Sequence, residues 1–374
     1  MVSADPPNYP RPADVAAGGE QEFTALFERH RRELQLHCYR MLGSYEASED
    51  LVQETFLRAW RARASYEGRA SFRTWLYRIA TNACLDALAR ERRRPRAVVP
   101  LGAADADLPG GYAEIPWLEP FPDQILDEIL DPEAEPDSTV VAKETVELAF
   151  LAAIQHLPPT QRAVLILRDV LGWSARETAA LLETSVASAN SALQRARQTL
   201  RRRLPERRAE WSRDPDASEE ERELLRRYVE AHERADVAAF AELLSDEATF
   251  SMPPEPTLVI GRDEVMSFLR ANGFGTPAFA DLKLVPLRAN RQPAAANYRR
   301  APGESLYRPM ALDVLRIEGG QVVELTAFDP KLFEAFGLPL AAGAQLIRRR
   351  ATQPDRSPPH QGRARLMRQR PTDL

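Results

Sequence analysis

The segment at 173–204, WSARETAALLETSVASANSALQRARQTLRRRL, constrains the fold of this chain more than any other stretch. Ser174 with Glu177 three residues later forms the pattern of a capping box, which marks the start of a helix. A turn at 183–185 separates this helix from a second one that begins near Val186 and ends in arginines. Two helices joined by so short a turn predict either a helix-turn-helix that reads a DNA major groove or a helical hairpin with a solvated basic face.

In a helix-turn-helix, the first residues of the second helix reach the base edges, and arginines along it hold phosphates. The residues predicted to lie along the DNA are Ala187, Ser188, Asn190, Ser191, Gln194 and Arg195.

A second motif, SEDLVQETFLRAW at 48–60, combines an apolar stripe with an acidic face. The stripe recurs at helical spacing and predicts a buried side, made by Leu51, Val52, Thr55, Phe56, Ala59 and Trp60. The opposite side carries Asp50, Gln53 and Glu54. This patch suits a basic helical partner; a solvated helix face is the alternative.

A third motif, FRTWLYRIATNACLDALARERRR at 72–94, interleaves aromatic residues with arginines. Aromatic rings stack on unpaired bases, arginine neutralises phosphate, and a side-chain amide can contact a base. The candidate nucleic-acid residues are Arg73, Trp75, Tyr77, Arg78 and Asn82. Burial of the aromatic residues in a helical core is the alternative.

Charge is distributed in blocks, which mark separate surfaces with separate partners. The stretch 58–96 has eleven arginines and three acids, whereas 102–148 has thirteen acids and one lysine. The acidic stretch is rich in Pro and Gly and contains IPWLEPFPDQILDEI at 115–129. It predicts a linker with one short helix, long enough to suggest a function of its own.

The composition changes after Ser218. An amphipathic pattern at 219–244 predicts one long helix. Short β-type runs follow at 248–252, 282–287, 310–317 and 322–328, with Gly319-Gly320 as a hairpin turn between the last two. Helices are predicted at 263–270 and 330–336, so this part is an α+β domain.

Cys38 and Cys84 lie far from any metal-type spacing and are expected to be reduced core thiols. No apolar run approaches the roughly 18–20 residues of a membrane span, and the first twenty residues lack the apolar core of a signal peptide. We therefore expect a cytoplasmic protein without a membrane partner.

Together, DLVQETF, FRTWLYRIATNA and LPPTQRAVLILRDVLGWSARETAALL resemble the two characteristic domains of extracytoplasmic-function sigma factors. The order and spacing of the motifs also match, over about 21–95 and 140–204. The resemblance implies a sigma factor that binds core RNA polymerase and promoter DNA. It needs no metal or cofactor, because the polymerase does the chemistry.

The resemblance also implies residue roles. The helix with Asp50, Leu51, Gln53 and Glu54 would bind the β′ clamp helices, and the β subunit is a further expected contact. The third motif would open and read the −10 element, with a flipped base held by the loop at 65–70. The helix from Val186 would read the −35 element. The acidic linker would thread through the polymerase between the two domains.

The last domain resembles the SnoaL-like, nuclear transport factor 2-like cone fold. The supporting segments are AHERADVAAFAELLSDEATFSMPPEP, GRDEV and AFDPKLFEAFGLP. Such cones hold an apolar pocket for a small molecule, and the candidate polar residues are Tyr228, His232, Asp236 and Tyr298. A domain of this kind is appended in a subset of these sigma factors, and we expect it to regulate activity.

The expected fold is mainly α, with two helical sigma domains of which the second is a helix-turn-helix, followed by an α+β cone. The expected organisation is a disordered leader at 1–20, region 2 at 21–95, an acidic linker at 96–139, region 4 at 140–205, a joint at 206–217, the cone at 218–340 and a disordered basic tail at 341–374. The alternatives are a stand-alone DNA-binding regulator and a SnoaL-type isomerase or cyclase fused to a regulator. The second and third motifs favour the sigma factor, because a plain regulator needs neither.

Overall fold

A computed structural model describes residues 15, 19–91, 115–129, 146–204, 219–279, 281–345 and 347 of the chain. The joint expected at 206–217 lies wholly outside these residues, and the leader and tail lie mostly outside them. Within the described residues, helices make up the first part of the chain, and a six-stranded sheet with its own helices follows.

Four helices in the first part of the described residues form an N-terminal bundle. They are α1 Glu20–Glu28, α2 Arg31–Leu42, α3 Tyr45–Ala62 and α4 Phe72–Glu91. Gly43 ends α2 in the left-handed conformation at φ 75°, which glycine adopts without steric cost. The Ser44 hydroxyl then accepts a hydrogen bond from the Ala47 amide and caps α3. The chain therefore reverses tightly between α2 and α3.

A short connecting helix and a second helical bundle follow. They are α5 Asp123–Ile129, α6 Leu148–Gln155, α7 Pro159–Leu165 with a π-helical extension Ile166–Val170, α8 Ala175–Leu181 and α9 Val186–Arg203. The capping box of Ser174 and Glu177 is confirmed. The two helices α8 and α9 follow each other across a short turn, as the sequence predicts.

The C-terminal domain is built on one sheet, with strand order β2-β1-β6-β5-β4-β3. The strands are β1 Leu244–Met252, β2 Glu255–Ile260, β3 Leu282–Ala289, β4 Gln292–Arg299, β5 Arg308–Glu318 and β6 Gln321–Phe328. Neighbouring strands are antiparallel except β1 and β6, which are parallel. The helices of this domain are α10 Glu219–Glu233, α11 Val237–Leu243 and α12 Arg262–Ala271.

The two faces of the sheet belong to different cores. One face packs with α10, α11 and α12 around residues such as Tyr228, Phe240 and Leu325. The other face supplies Ala294 and Ala296 to a core that continues into both helical bundles and the 115–129 segment. Because this second core is shared, the C-terminal domain is packed onto the helical part of the protein.

The mixed class, helical domains followed by an α+β domain, is confirmed. So are the four predicted strands, the helix near 263–270 and the Gly319-Gly320 hairpin, whose glycines have φ 57° and 73°. The prediction of one long helix at 219–244 is wrong. Ala235 adopts φ 51°, and Asp236 caps a new helix through the amides of Ala238 and Ala239. The segment predicted as a helix at 330–336 forms a 3₁₀ helix, Pro330–Glu334.

Two strands were not predicted. β4 reads QPAAANYR and is buried along almost its whole length, so it shows no alternation of apolar and polar residues. β2 is a short edge strand with the sequence EPTLVI. Both lack the period-2 pattern by which a half-buried strand is recognised.

Candidate nucleic-acid and partner interfaces

The outer face of α3 is accessible and carries the acidic patch predicted from sequence. Asp50 and Gln53 are exposed, and Glu54 is half-buried because it accepts a hydrogen bond from Arg58 (2.8 Å). Leu51 lies on the opposite side, in the core of the bundle. Leu57, one turn beyond Gln53, is 43 % exposed. The accessible face is therefore acidic with one large apolar residue.

Sequence reasoning missed Leu57. Its signal is an apolar residue on the polar side of an amphipathic helix, which burial in the bundle does not explain. A single exposed apolar side chain is ordinary on a protein surface, so Leu57 is of interest only because it lies beside the acidic residues of α3.

The candidate nucleic-acid residues of α4 fall into three environments. Asn82 and Arg78 are exposed. Trp75 is half-buried and packs on Tyr66, with ring centroids 5.4 Å apart. Tyr77 is 1 % exposed and is therefore a core residue in this structure, which was the alternative to stacking on a base.

Glu33 of α2 lies beside this face and holds Arg73. Its Oε2 atom accepts from Arg73 Nε (2.7 Å) and from the Tyr77 hydroxyl (3.2 Å). Its Oε1 atom contacts His30 Nδ1 at 2.6 Å. Burial opposes ionisation of Glu33, but the hydrogen bonds and charges of His30 and Arg73 together hold its pKa below the usual range.

The second bundle packs directly against this face. Arg78 Nη2 donates to Glu183 Oε1 (2.7 Å), in the turn between α8 and α9. The ring of Trp173 lies 5.7 Å from that of Tyr77. Two of the candidate nucleic-acid residues of α4 are therefore covered or paired by the second bundle.

A buried arginine also joins the second bundle to the N-terminal bundle. Arg162 of α7 is 3 % exposed and donates to the carbonyls of Met41, Gln155 and Leu157. Gln155 Nε2 in turn donates to the Arg40 carbonyl (3.3 Å). Side chains of the second bundle thus satisfy carbonyls at the C-terminal end of α2, which have no partner within their own helix.

The N-terminal part of α9 is open. All six residues predicted to lie along DNA are exposed, namely Ala187, Ser188, Asn190, Ser191, Gln194 and Arg195. Ser185 caps the helix through the Ser188 amide (3.0 Å). Arg197, further along, forms a two-point ion pair with Asp169 (2.7 and 2.8 Å). The helix therefore presents a small polar surface at its start and a partly neutralised basic one behind it.

The 115–129 segment crosses the first bundle, with Glu119 at the crossing. The Glu119 amide donates to the Gly43 carbonyl (2.9 Å), and its own carbonyl accepts from the Tyr39 hydroxyl (2.7 Å). Its carboxylate accepts from the Ser44 hydroxyl (2.7 Å) and the Glu46 amide (3.0 Å). Glu119 thus adds a second cap to the N-terminus of α3, where a negative charge is stabilised.

Lys331 of the C-terminal domain also lies at the N-terminus of α3. Its ammonium contacts Glu119 Oε1 at 2.7 Å and Glu46 Oε2 at 3.0 Å. Glu46 lies one turn before Asp50 on the exposed side of α3. The C-terminal domain therefore borders the acidic face.

Asn290 joins three parts of the chain. It sits in the β3–β4 hairpin turn at φ 56°, a conformation that asparagine tolerates, and it is fully buried. It exchanges two hydrogen bonds with the Phe121 backbone (2.7 and 3.0 Å). Its amide nitrogen also donates to the Tyr39 hydroxyl (2.9 Å) and the Val146 carbonyl (2.6 Å).

Neighbouring residues extend this contact. The buried Asp123 carboxylate accepts from Arg288 Nε (3.1 Å) and the Arg291 amide (2.8 Å). The Gln292 side chain accepts from the Leu148 amide at the start of α6 (3.1 Å). The C-terminal domain is thereby bound to the first bundle, the 115–129 segment and the second bundle at once. We call the Asn290 and Lys331 contacts together the clamp.

The interior of the C-terminal domain holds a buried polar group. The Tyr228 hydroxyl donates to Asp313 (2.7 Å), and the Asn297 amide donates to the same carboxylate oxygen (2.5 Å). Burial raises the pKa of Asp313 to about 6, against the effect of these hydrogen bonds. His232 lies beside Tyr228, and burial lowers its pKa to about 4.

Two of the four predicted pocket residues line this interior. Tyr228 and His232 lie inside it. Asp236 is exposed and caps α11. Tyr298 lies on the other face of the sheet and donates to the Pro339 carbonyl (3.0 Å). Alternation along the strands places Tyr298 opposite to Asn297.

Three family models match the chain in the order that this architecture suggests. Sigma-70 region 2 matches residues 26–94, Sigma-70 region 4 matches 147–200, and the SnoaL-like domain matches 225–325. The ECF RNA polymerase sigma factor SigG of Mycobacterium tuberculosis is 45% identical over 334 residues, 88% of this chain and 86% of the relative. The chain belongs to the ECF RNA polymerase sigma factors.

Other relatives cover the sigma domains or the fold. The ECF RNA polymerase sigma factor SigW of Bacillus subtilis is 28% identical over 51% of this chain and 92% of its own length. The crystal structure of the M. tuberculosis ECF sigma factor SigJ covers 85% of this chain and 99% of its own, with a TM-score of 0.54 and 23% identity. This likeness concerns the fold.

As an ECF sigma factor, the protein directs promoter recognition and transcription initiation and is not an enzyme. The SnoaL-like domain is a regulatory extension of the sigma domains. Within the described part of the chain, every helix is too short or too polar to span a lipid bilayer.

Proposed function

We propose that the sigma factor uses three separate surfaces. The exposed face of α3, with Asp50, Gln53, Glu54 and Leu57, binds the β′ clamp helices of core RNA polymerase. The face of α4 around Arg73, Trp75, Tyr77, Arg78 and Asn82 opens and reads the −10 element. The start of α9 enters the major groove as the second helix of a helix-turn-helix and reads the −35 element.

The limits of the domains follow the sequence-based scheme, with region 2 at 21–95, region 4 at 140–205 and the SnoaL-like cone at 218–340. The protein works in the cytoplasm, where core polymerase and promoter DNA are found. The β subunit of the polymerase is a further contact of region 4 and of the linker.

The observation that carries this proposal is the pattern of exposure. The acidic face of α3 and the polar start of α9 are both exposed in the folded protein, so both are accessible to a partner. Exposed acids in a compact patch give electrostatic complementarity to a basic partner.

A charge reversal tests the core-binding surface. Asp50→Arg combined with Glu54→Arg should weaken binding to core polymerase by about tenfold or more, because like charges oppose docking. Glu242→Arg combined with Glu247→Arg, at two exposed acids of the C-terminal domain, is the matched control and should bind normally. Equal affinity of the double variant and the control would remove this assignment.

We also propose that the C-terminal domain acts by holding the sigma domains together. We call the arrangement seen in this structure the closed arrangement. In it, Trp173 covers Tyr77 and Glu183 pairs with Arg78. The clamp joins both bundles to the sheet. Reading two promoter elements with α4 and α9 requires these contacts to open. Because the clamp stabilises the closed arrangement, its effect on transcription is inhibitory.

A small-molecule ligand in the C-terminal domain is a further proposal. Two buried polar atoms of its interior, His232 Nδ1 and Asn297 Oδ1, have no hydrogen-bond partner among the described residues. Buried polar groups are normally paired, so we propose that a small hydrogen-bonding ligand supplies the missing partners. Thermal stabilisation of the purified protein by a compound, lost in Asn297→Ala, is the test.

A further inference from the structure

Glu33 has no place in the surfaces proposed above, yet it binds two residues of the −10 face. Its Oε2 atom accepts from Arg73 Nε at 2.7 Å and lies 2.6 Å from Arg73 Nη2. The Tyr77 hydroxyl donates to the same oxygen. A carboxylate on α2 is therefore the shared acceptor for two side chains that stand one turn apart on α4.

The Arg73 guanidinium is fixed on two further sides. It lies over the Tyr77 ring, 4.8 Å from the centroid, a favourable cation–π position. Its Nη2 atom also donates to the Tyr77 hydroxyl (3.4 Å). The Glu33 carboxylate is itself anchored by His30, and its side chain is four-fifths buried. An anchored acceptor holds its partner more firmly than a free surface carboxylate does.

These bonds leave part of the guanidinium available. Arginine has five N–H donors in a fixed fork. Glu33 and Tyr77 engage Nε and Nη2, whereas Nη1 has no hydrogen-bond partner among the described residues. The Arg73 side chain is 42 % exposed. The edge of the guanidinium that carries Nη1 is therefore both held in one orientation and accessible. A phosphate or a base acceptor requires this arrangement.

We propose that Glu33 is a positioning residue for promoter recognition: it holds Arg73 so that Nη1 meets the single-stranded −10 element. This inference rests on the proposed assignment of Arg73 to the −10 face. Glu33 itself does not touch DNA, because its carboxylate is occupied by Arg73, Tyr77 and His30. Orienting a long side chain in advance reduces the entropy that is lost on binding.

A double-mutant cycle tests the proposal. Holoenzyme is assembled from core polymerase and the full chain, as wild type, Glu33→Ala, Arg73→Ala and the double variant. The probe is a fluorescent single-stranded oligonucleotide with the −10 sequence of a promoter that this protein transcribes in vitro. Core binding of each variant is measured alongside and reports on folding.

We expect Glu33→Ala to weaken oligonucleotide binding roughly three- to tenfold, the effect of freeing one long side chain. In the Arg73→Ala background the same change should have less than a roughly twofold effect, because the residue to be positioned is gone. Glu33→Gln keeps an oxygen acceptor and should restore part of the affinity. If the alanine variant is unfolded, Glu33→Ser, whose short side chain does not reach Arg73, replaces it in the cycle.

Four outcomes would overturn the inference. Unchanged binding by Glu33→Ala would mean that Glu33 does not position Arg73, and tighter binding would mean that Glu33 competes with DNA for Arg73. An equal loss in both backgrounds would make Glu33 a general structural residue. Normal binding by Arg73→Ala would remove the −10 assignment on which the inference rests, and is distinguishable from the other three because it appears without any change at Glu33.

Discussion

Asp313 is a carboxylic acid held inside the C-terminal domain, with Tyr228 and Asn297 as its hydrogen-bond donors. Its folded-state pKa of about 6 lies above the ordinary value of 3.8. The folded protein therefore holds this proton more tightly than the unfolded chain does. The stability that Asp313 contributes is fully present below pH 4 and is lost as the pH rises through 6.

Asp313→Asn should therefore stabilise the protein at neutral pH. The amide oxygen still accepts from Tyr228 and Asn297, and no buried charge forms. We expect a gain of about 1–2 kcal/mol at pH 7.5 that shrinks towards pH 4.5, measured as the difference in urea unfolding from wild type. His232 has the opposite pH dependence, since burial lowers its pKa to about 4, but its contribution is common to both proteins and cancels. A constant difference across this range would contradict the account.

Single residues also show where sequence reasoning reaches its limit. The residues at the start of α9 were predicted to lie along DNA because they begin the second helix of the helix-turn-helix, and they are exposed. Leu51 was placed on a contact surface by resemblance and Tyr77 by the pattern of aromatic residues and arginines, and both are buried. No sequence pattern indicated the contacts of Asn290 and Lys331, because their partners lie 144 or more residues away in the chain. Such contacts follow from domain packing, which local patterns do not encode.

At the scale of elements, the turn between α8 and α9 combines a backbone cost with an interdomain contact. Glu183 adopts φ 52°, a left-handed conformation that costs a non-glycine residue roughly 1 kcal/mol. Its carboxylate pairs with Arg78 of α4. Helix periodicity predicted both helices and the turn, but the partner of the turn residue was not predictable.

Glu183→Gly separates the two effects. Glycine relieves the strained conformation and removes the ion pair, so we expect unchanged or higher thermal stability together with faster hydrogen exchange of α4 near Arg78. The ion pair is half-exposed or more at both ends, so its loss should be modest, about 0.2–1 kcal/mol. Glu183→Gln, which keeps the strain, is the control for charge alone. Slower exchange at α4 in the glycine variant would contradict an interdomain role for this turn.

At the scale of the whole molecule, the sheet face next to the helical bundles is part of their core. Val285, Ala294 and Val314 of the sheet share one apolar cluster with residues of both bundles. The closed arrangement is thus stabilised by apolar burial and by the clamp. The sequence predicted the separate domains, but it could not show that the 115–129 segment and the β3–β4 hairpin join them.

Run-off transcription by core RNA polymerase of the same organism tests the central claim most directly. The full chain is compared with Asn290→Ala, which removes the side-chain hydrogen bonds with the Phe121 amide, the Tyr39 hydroxyl and the Val146 carbonyl. The control is Asn272→Ala, the same change at an exposed position. We predict transcripts that depend on the added protein, more of them with Asn290→Ala, and no change with Asn272→Ala. Fewer transcripts with Asn290→Ala would contradict an inhibitory clamp, and no protein-dependent transcripts from any folded version would contradict the sigma-factor account itself.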